Sequence, residues 1–178
     1  MKSTLNNLQN DFLREFFSHE NRFYLTGGAA LAGFYFGHRK TEDLDLFTLE
    51  NQIEDGFAIV TEVLKILDAT LESIQTSPDF RRFLVKRGNE AVVVDLVREY
   101  VFQLENEKRE INGVRIDSPE EIMANKLCTL LSRSEIRDLV DVHELEKAGF
   151  DLEAALLTAQ KKDAGMQAGF AGYLYSLC

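Results

Sequence analysis

A chain of 178 residues, 45% of them apolar, is long enough to bury a core of its own, as one domain or one domain with a small appendage. Its 30 acidic against 20 basic side chains give a formal net charge of −10, which excludes nonspecific attraction to nucleic acid or to an anionic membrane as a property of the whole molecule. No run reaches the length of a membrane-spanning helix, the start Met1-Lys2-Ser3-Thr4-Leu5 lacks the apolar block of a secretion signal, and Cys128 and Cys178 lie in no zinc or redox pattern, so the expectation is a cytoplasmic protein.

In chain order, Leu5, Leu8, Phe12, Phe16 and Phe17 recur at helical spacing and predict an amphipathic helix over the first nineteen residues. Phe23-Tyr24-Leu25 is a short buried strand that stops at Gly27-Gly28. Ala29 to Phe36 returns to helical spacing, with Gly37 as its stop. Asp43 to Phe47 alternates with period two and predicts a strand. Phe57, Val60, Val63, Leu64 and Leu67 form a second helical stripe, followed by strand-like runs over 71–74, 80–86 and 91–96. Ile111 and Val114-Arg115-Ile116 flank an Asn112-Gly113 turn and predict a hairpin.

Helices dominate after residue 117. Ser118-Pro119-Glu120-Glu121 combines a capping serine, a proline at the first helical position and a glutamate at the third, which starts a helix running to about Leu131. A break at Ser132-Arg133-Ser134 leaves Ser134 to cap a helix ending at Gly149, Asp151 to cap another, and Met166 to Leu177 to form a last. The expected fold is α/β: a mixed sheet flanked by helices over 1–117, with a C-terminal helical bundle over 118–178 packed on it.

The chemistry is concentrated between residues 26 and 48. On a strand, residues two apart share a face, so Asp43 and Asp45 project together while Leu44 and Leu46 enter the core. Two neighbouring carboxylates repel, and a shared divalent cation relieves the repulsion; magnesium suits oxygen ligands and keeps coordination sites open for water and phosphate. Asp95 is the candidate third ligand, a single acid inside Ala91-Val92-Val93-Val94-Asp95-Leu96, where an unpaired charge is costly. Gly27-Gly28 ends a strand and opens a helix, which turns backbone N–H groups toward an incoming phosphate and removes the side chains that would keep it away. A nucleoside triphosphate on the turn and metal on the carboxylates would align an acceptor hydroxyl with a phosphorus.

Together these segments, Tyr24-Leu25-Thr26-Gly27-Gly28-Ala29-Ala30-Leu31 and His38-Arg39-Lys40-Thr41-Glu42-Asp43-Leu44-Asp45-Leu46-Phe47, resemble the AbiEii/AbiGii nucleotidyltransferases, toxins of type IV toxin–antitoxin and abortive-infection systems. Lys126-Leu127, Arg133 and Arg137-Asp138-Leu139-Val140-Asp141 resemble that family's C-terminal Lys and Arg-Asp-x-x-Asp motifs. The resemblance implies that Gly27 and Gly28 hold phosphates, that Asp43, Asp45 and Asp95 bind Mg2+ with Asp95 able to take the acceptor's proton, and that Lys126 contacts the triphosphate. It further implies that Arg39 supports the carboxylate strand or a phosphate, and that Asp138 and Asp141 orient Lys126 or Arg133; Arg137 with Asp141 reads equally well as an ordinary i, i+4 surface pair. The implied activity moves NMP from an NTP to a tRNA or protein hydroxyl under the control of an antitoxin. The departure is Ala29, where the superfold commonly has a hydroxyl residue; it favours a non-catalytic nucleotide-binding module as the rival reading, and the acidic surface favours a small-molecule (antibiotic) transferase. The basic residues Arg81-Arg82 and Lys86-Arg87, with Arg82 and Lys86 on one strand face, read as a solubility face more readily than as an RNA contact, and His38 as a solvated loop residue more readily than as a contact to an acceptor phosphate.

Overall fold

The computed structural model describes residues 4–132 and 135–162. The expected helix over 166–177, the Ser134 cap, Cys178 and Arg133 lie outside the described residues. The chain divides into two compact units, one of Met1–Tyr100 with Glu107–Asp117 and one of Val101–Asn106 with Ser118–Cys178. The segment 101–106, counted above with the first half, groups with the second unit.

In the first unit, helix α1 (Asn7–His19) starts later than the apolar spacing implies because Asn6 caps it: the Asn6 side chain accepts from the Gln9 backbone N–H and the Gln9 side chain accepts from the Asn6 N–H, both at 2.8 Å. Strand β1 (Phe23–Thr26) leads into a four-residue helix α2 (Gly27–Ala30), which continues as a π-helical turn over Leu31–Tyr35. The Phe36 and Gly37 N–H groups close that turn on the Leu31 and Ala32 carbonyls, and Gly37 ends it at φ +65°. Then come β2 (Asp43–Thr48), α3 (Ile53–Ile66), β3 (Thr70–Ser77), β4 (Phe80–Arg87), β5 (Glu90–Arg98), β6 (Arg109–Ile111) and β7 (Val114–Ile116). Asn112 and Gly113 take φ +54° and +79°, as a two-residue hairpin of the mirror-image type requires.

All seven strands form one mixed sheet in the order β3-β4-β5-β2-β1-β7-β6, with β2 parallel to β5 and antiparallel to β1. Its faces differ in chemistry. Leu44, Leu46, Val94, Leu96, Phe83 and Val85 are buried on the face covered by α1 and α3, where Phe16 meets Phe23 edge to face at 5.7 Å and Phe57 meets Phe83 at 5.6 Å. Alternation along β2, β4 and β5 sends Asp43, Asp45, Asp95, Arg82 and Lys86 to the opposite face.

The second unit holds α4 (Pro119–Ser132), α5 (Ile136–Lys147) and α6 (Leu152–Lys162). Ser118 Oγ accepts from the Glu121 N–H at 3.2 Å, and Asp151 Oδ1 accepts from the N–H groups of Glu153 and Ala154 at 2.9 and 3.1 Å, so two of the three predicted caps form, the third, Ser134, lying outside the described residues. The residue before α5 is Glu135, which makes no side-chain cap. A buried pair of Glu121 and Lys162 ties α4 to α6, and both reach the backbone of 101–106: Glu121 accepts from the Leu104 N–H at 2.6 Å and Lys162 donates to the Phe102 carbonyl at 2.7 Å. Those bonds explain why 101–106 belongs to this unit. No described helix is long and apolar enough to cross a membrane.

Candidate active site

Register decides which side chains meet on the polar face of the sheet. Asp45 on β2 is the partner of Thr26 on one side and of Asp95 on the other, and Asp95 is in turn the partner of Arg82 on β4. Partnered residues share a face, so Arg82, Asp95, Asp45 and Thr26 form a row across four strands, with Asp43 one pleat along from Asp45. Asp43 and Asp45 are half-buried, and Asp95 is 4% exposed. The buried hydroxyl of Thr41 donates to Asp43 Oδ1 at 2.8 Å and fixes that carboxylate.

The glycine turn stands at one end of the row. Gly27 has φ +66°, and a Cβ there would run into the Asp45 carboxylate; a Cβ on Gly28 would run into the Arg39 guanidinium. The glycines therefore serve two ends: Gly27 bends the backbone into the left-handed region, and both let charged groups lie directly against the main chain. Arg39 also donates to the Lys40 carbonyl at 3.2 Å, which folds it back over the turn. Ala29, the departure noted in the sequence, is fully buried. His38 lies edge-on to Phe36 at 6.0 Å.

Asp95 is where the structure adds what the sequence reading missed. Arg82 grips it side-on, Nε to Oδ1 at 2.8 Å and an NH2 nitrogen to Oδ2 at 2.6 Å. The Arg82 pKa is raised, first by those hydrogen bonds to Asp95 and then by the charges of Asp95, Asp45 and Asp43, all against the burial that opposes it. Arg82 is thus a member of the charged row and not a solubility residue; Lys86 on the same strand face does pair outward, with Glu72 at 2.9 Å. Arg81 turns to the opposite face, over the Phe57 ring at 4.1 Å and onto Glu54.

The oxygen-only set of Asp43, Asp45 and Asp95 has the hard-donor chemistry that suits magnesium. As they stand, no three acidic, histidine or cysteine side chains among the described residues surround a single point closely enough to enclose an ion, and both oxygens of Asp95 are turned to a guanidinium, itself a cation. Asp43 and Asp45 are the carboxylates of this row that could hold such a cation.

In the second unit Lys126 is held by two buried carboxylates, Asp138 at 2.5 Å and Asp141 at 3.0 Å, and Thr129 Oγ1 donates to the other oxygen of Asp138 at 3.2 Å. Asp141, fully buried, is directed inward to Lys126, and Arg137 reaches Glu135 at 3.1 Å. Cys128, half-buried, donates its Sγ–H to the Ala159 carbonyl at 3.5 Å.

The family model described as "Nucleotidyl transferase AbiEii toxin, Type IV TA system" matches residues 11–171. The chain belongs to the AbiEii family. Its glycine turn, Asp43-x-Asp45 strand and Lys126 cluster all lie within the matched residues. Among curated proteins, aq_aa25 of Aquifex aeolicus (strain VF5) is 30% identical over 144 residues, 80% of this chain; the chain spans 66% of that relative's length. Among solved structures, JHP933 from Helicobacter pylori superposes with a TM-score of 0.65 at 22% identity, over 88% of this chain and 79% of that one. MenT4, a nucleotidyltransferase toxin from Mycobacterium tuberculosis H37Rv, superposes with a TM-score of 0.58 at 18% identity, over 85% of this chain and 62% of that one. At such identities the superpositions establish that this AbiEii chain has the fold of those proteins.

Proposed function

We propose that this AbiEii protein is a magnesium-dependent nucleotidyltransferase that transfers the NMP group of an NTP to an acceptor hydroxyl and releases pyrophosphate, acting in the cytoplasm as the toxin of a toxin–antitoxin pair. The observation that carries the reading is the register of Asp45 with Asp95 next to a glycine turn whose missing side chains leave bare backbone against Asp45. When bound, magnesium supplies charge neutralisation at the transferred phosphorus and lowers the charge barrier to an attacking oxygen.

The chain's own residues divide the work. Asp43 and Asp45 hold the cation, Asp43 with its orientation set by Thr41. Gly27 and Gly28 admit phosphate oxygens to the main-chain N–H groups, and Arg39, lying over Gly28, neutralises phosphate charge. Asp95, once released, accepts the proton of the acceptor hydroxyl; the O–H bond breaks as that oxygen bonds to the α-phosphorus, and the α–β bridging oxygen leaves with pyrophosphate. On the family likeness, Lys126 is assigned to phosphate charge, with Asp138 and Asp141 fixing its position.

The family's type IV toxin–antitoxin description supports an antitoxin partner, and tRNA or a protein side chain is the proposed acceptor. The test incubates the protein with each labelled NTP, Mg2+ and, separately, total tRNA, total protein and aminoglycosides, comparing wild type with Asp45→Asn. Label on tRNA or protein that disappears in D45N is the expected result. Label on aminoglycosides alone would replace the acceptor class, and NTP binding without transfer to any pool would replace the enzyme with a nucleotide-binding module.

A further inference from the structure

The charged row ends in an asymmetric ion pair. Asp95 has a side-chain exposure of 6%, fixed within β5 among Val93, Val94 and Leu96, while its partner Arg82 is 43% exposed on a long, rotatable stem. A buried carboxylate needs a counter-charge, and a guanidinium fork is the side chain best shaped to give it one. An ordinary structural pair would serve that need anywhere on the sheet. This one lies in register with Asp45, one pleat from Asp43, and Arg82 feels the charge of all three carboxylates.

Without Arg82, three carboxylates on neighbouring positions of one sheet face would repel one another, and Asp95 would face that repulsion from a nearly dry position. With it, each oxygen of Asp95 already accepts an Arg82 N–H, so a divalent cation at Asp43 and Asp45 competes with the guanidinium for that carboxylate. Arg82 is half-exposed, with its guanidinium over the Phe80 ring at 5.7 Å, and so already reaches solvent, whereas Asp95 cannot move far on its strand.

We propose that Arg82 is the internal counter-ion of the carboxylate row, a positioning residue that holds Asp95 in place in the metal-free protein and competes with the divalent cation for its two oxygens. The inference rests on the assignment of Asp43, Asp45 and Asp95 to the cation, and it makes metal loading an exchange of one cation for another at Asp95.

The test measures Mn2+ affinity directly, by electron paramagnetic resonance of free Mn2+ and by titration calorimetry, with no nucleotide present. Wild type is compared with R82Q, R82K, D95N, R82Q/D95N and D45N, each first checked for native far-UV circular dichroism. R82Q is expected to bind Mn2+ about three- to tenfold more tightly than wild type, the range that loss of a charge-assisted fork at a half-exposed site produces. R82K, which keeps the charge but loses the fork, falls between the two, and supplies the readout if R82Q does not fold. Adding D95N to R82Q cancels the gain. If D45N weakens Mn2+ binding but neither R82Q nor R82K tightens it, the competition is overturned and the cation site stands. If D45N binds Mn2+ as wild type does, the carboxylate assignment itself falls, and this inference with it.

Discussion

Lys126 offers the sharpest energetic test in the molecule. Its ammonium lies 2.5 Å from Asp138 and 3.0 Å from Asp141, whose side chains are 2% and 0% exposed, and it is itself only 11% exposed. Lys126→Met keeps most of the stem's volume and removes the charge, so the loss is electrostatic and not a cavity. Taking one partner from a buried ion pair costs about 3–5 kcal/mol, because the carboxylates left behind keep their desolvation cost without the attraction that offset it. Thr129 still donates to Asp138, which places the expected loss toward the lower end, about 3 kcal/mol. The companion variant decides the cause: K126M/D138N/D141N removes the two charges as well, and replacement of a whole buried ion cluster by neutral groups is often close to neutral, so at least about 2 kcal/mol should return. Urea unfolding followed by circular dichroism at neutral pH gives each value. K126M within about 1 kcal/mol of wild type, or a triple variant no more stable than the single one, would refute the argument that this cluster is held together by charge.

Gly27→Ala is expected to destabilise the fold by about 1–2 kcal/mol, from an alanine forced to a φ of +66°, and to lower label transfer at least about tenfold because the new Cβ pushes the Asp45 carboxylate aside. Gly28→Ala meets only the movable end of Arg39 and should cost less on both counts; equal effects in thermal melts and transfer assays would contradict the geometry. Glu20 has a folded-state pKa below its ordinary 4.5: burial pushes it up, but the Arg22 fork, the Arg22 N–H and the Arg22 charge together outweigh burial. A depressed carboxylate contributes stability above its unfolded pKa and loses it as pH falls through the folded value, so Glu20→Gln should reduce stability near neutrality and flatten the acid side of the urea midpoint curve below about pH 4.5. An unchanged slope in E20Q titrations relative to wild type would remove Glu20 from that role.

Much of this architecture is legible in the residues because local signals agree with packing. Period-two alternation alone puts Asp43 and Asp45 on one face, and Asn112-Gly113 fixes its hairpin without help from the rest of the chain. Arg82 was within reach by the same logic. Strands β4 and β5 are joined by Gly88-Asn89, with Arg87 opposite Glu90 and Gly88 at φ +60°, and counting five residues back along one strand and five forward along the other lands on Arg82 and Asp95. What that turn does not announce is its own length: Gly88 and Asn89 sit between charged residues, where a longer loop reads equally well. The Lys126 cluster is less accessible to sequence, since spacing alone cannot tell whether Asp141 turns to Arg137 one helical turn away or to a lysine on another helix. Burial decides it, and burial belongs to tertiary structure.

The two clusters also show how exposure separates a structural ion pair from an exchangeable one. At Lys126 the cation and both anions are buried, so breaking the contact removes an attraction between charges that stay desolvated, and the arrangement persists as a unit. At Arg82 only the anion is buried, so the cation can regain its hydration on leaving while the carboxylate passes to another positive charge, provided one is present. A divalent ion carries twice the charge of a guanidinium, and on the proposed assignment of Asp43 and Asp45 to it the exchange tilts toward the metal when it arrives and toward Arg82 when it does not. The same half-exposed stem that makes the Arg82 fork weak as a stabilising contact is therefore what lets the sheet keep three acids side by side before any substrate binds.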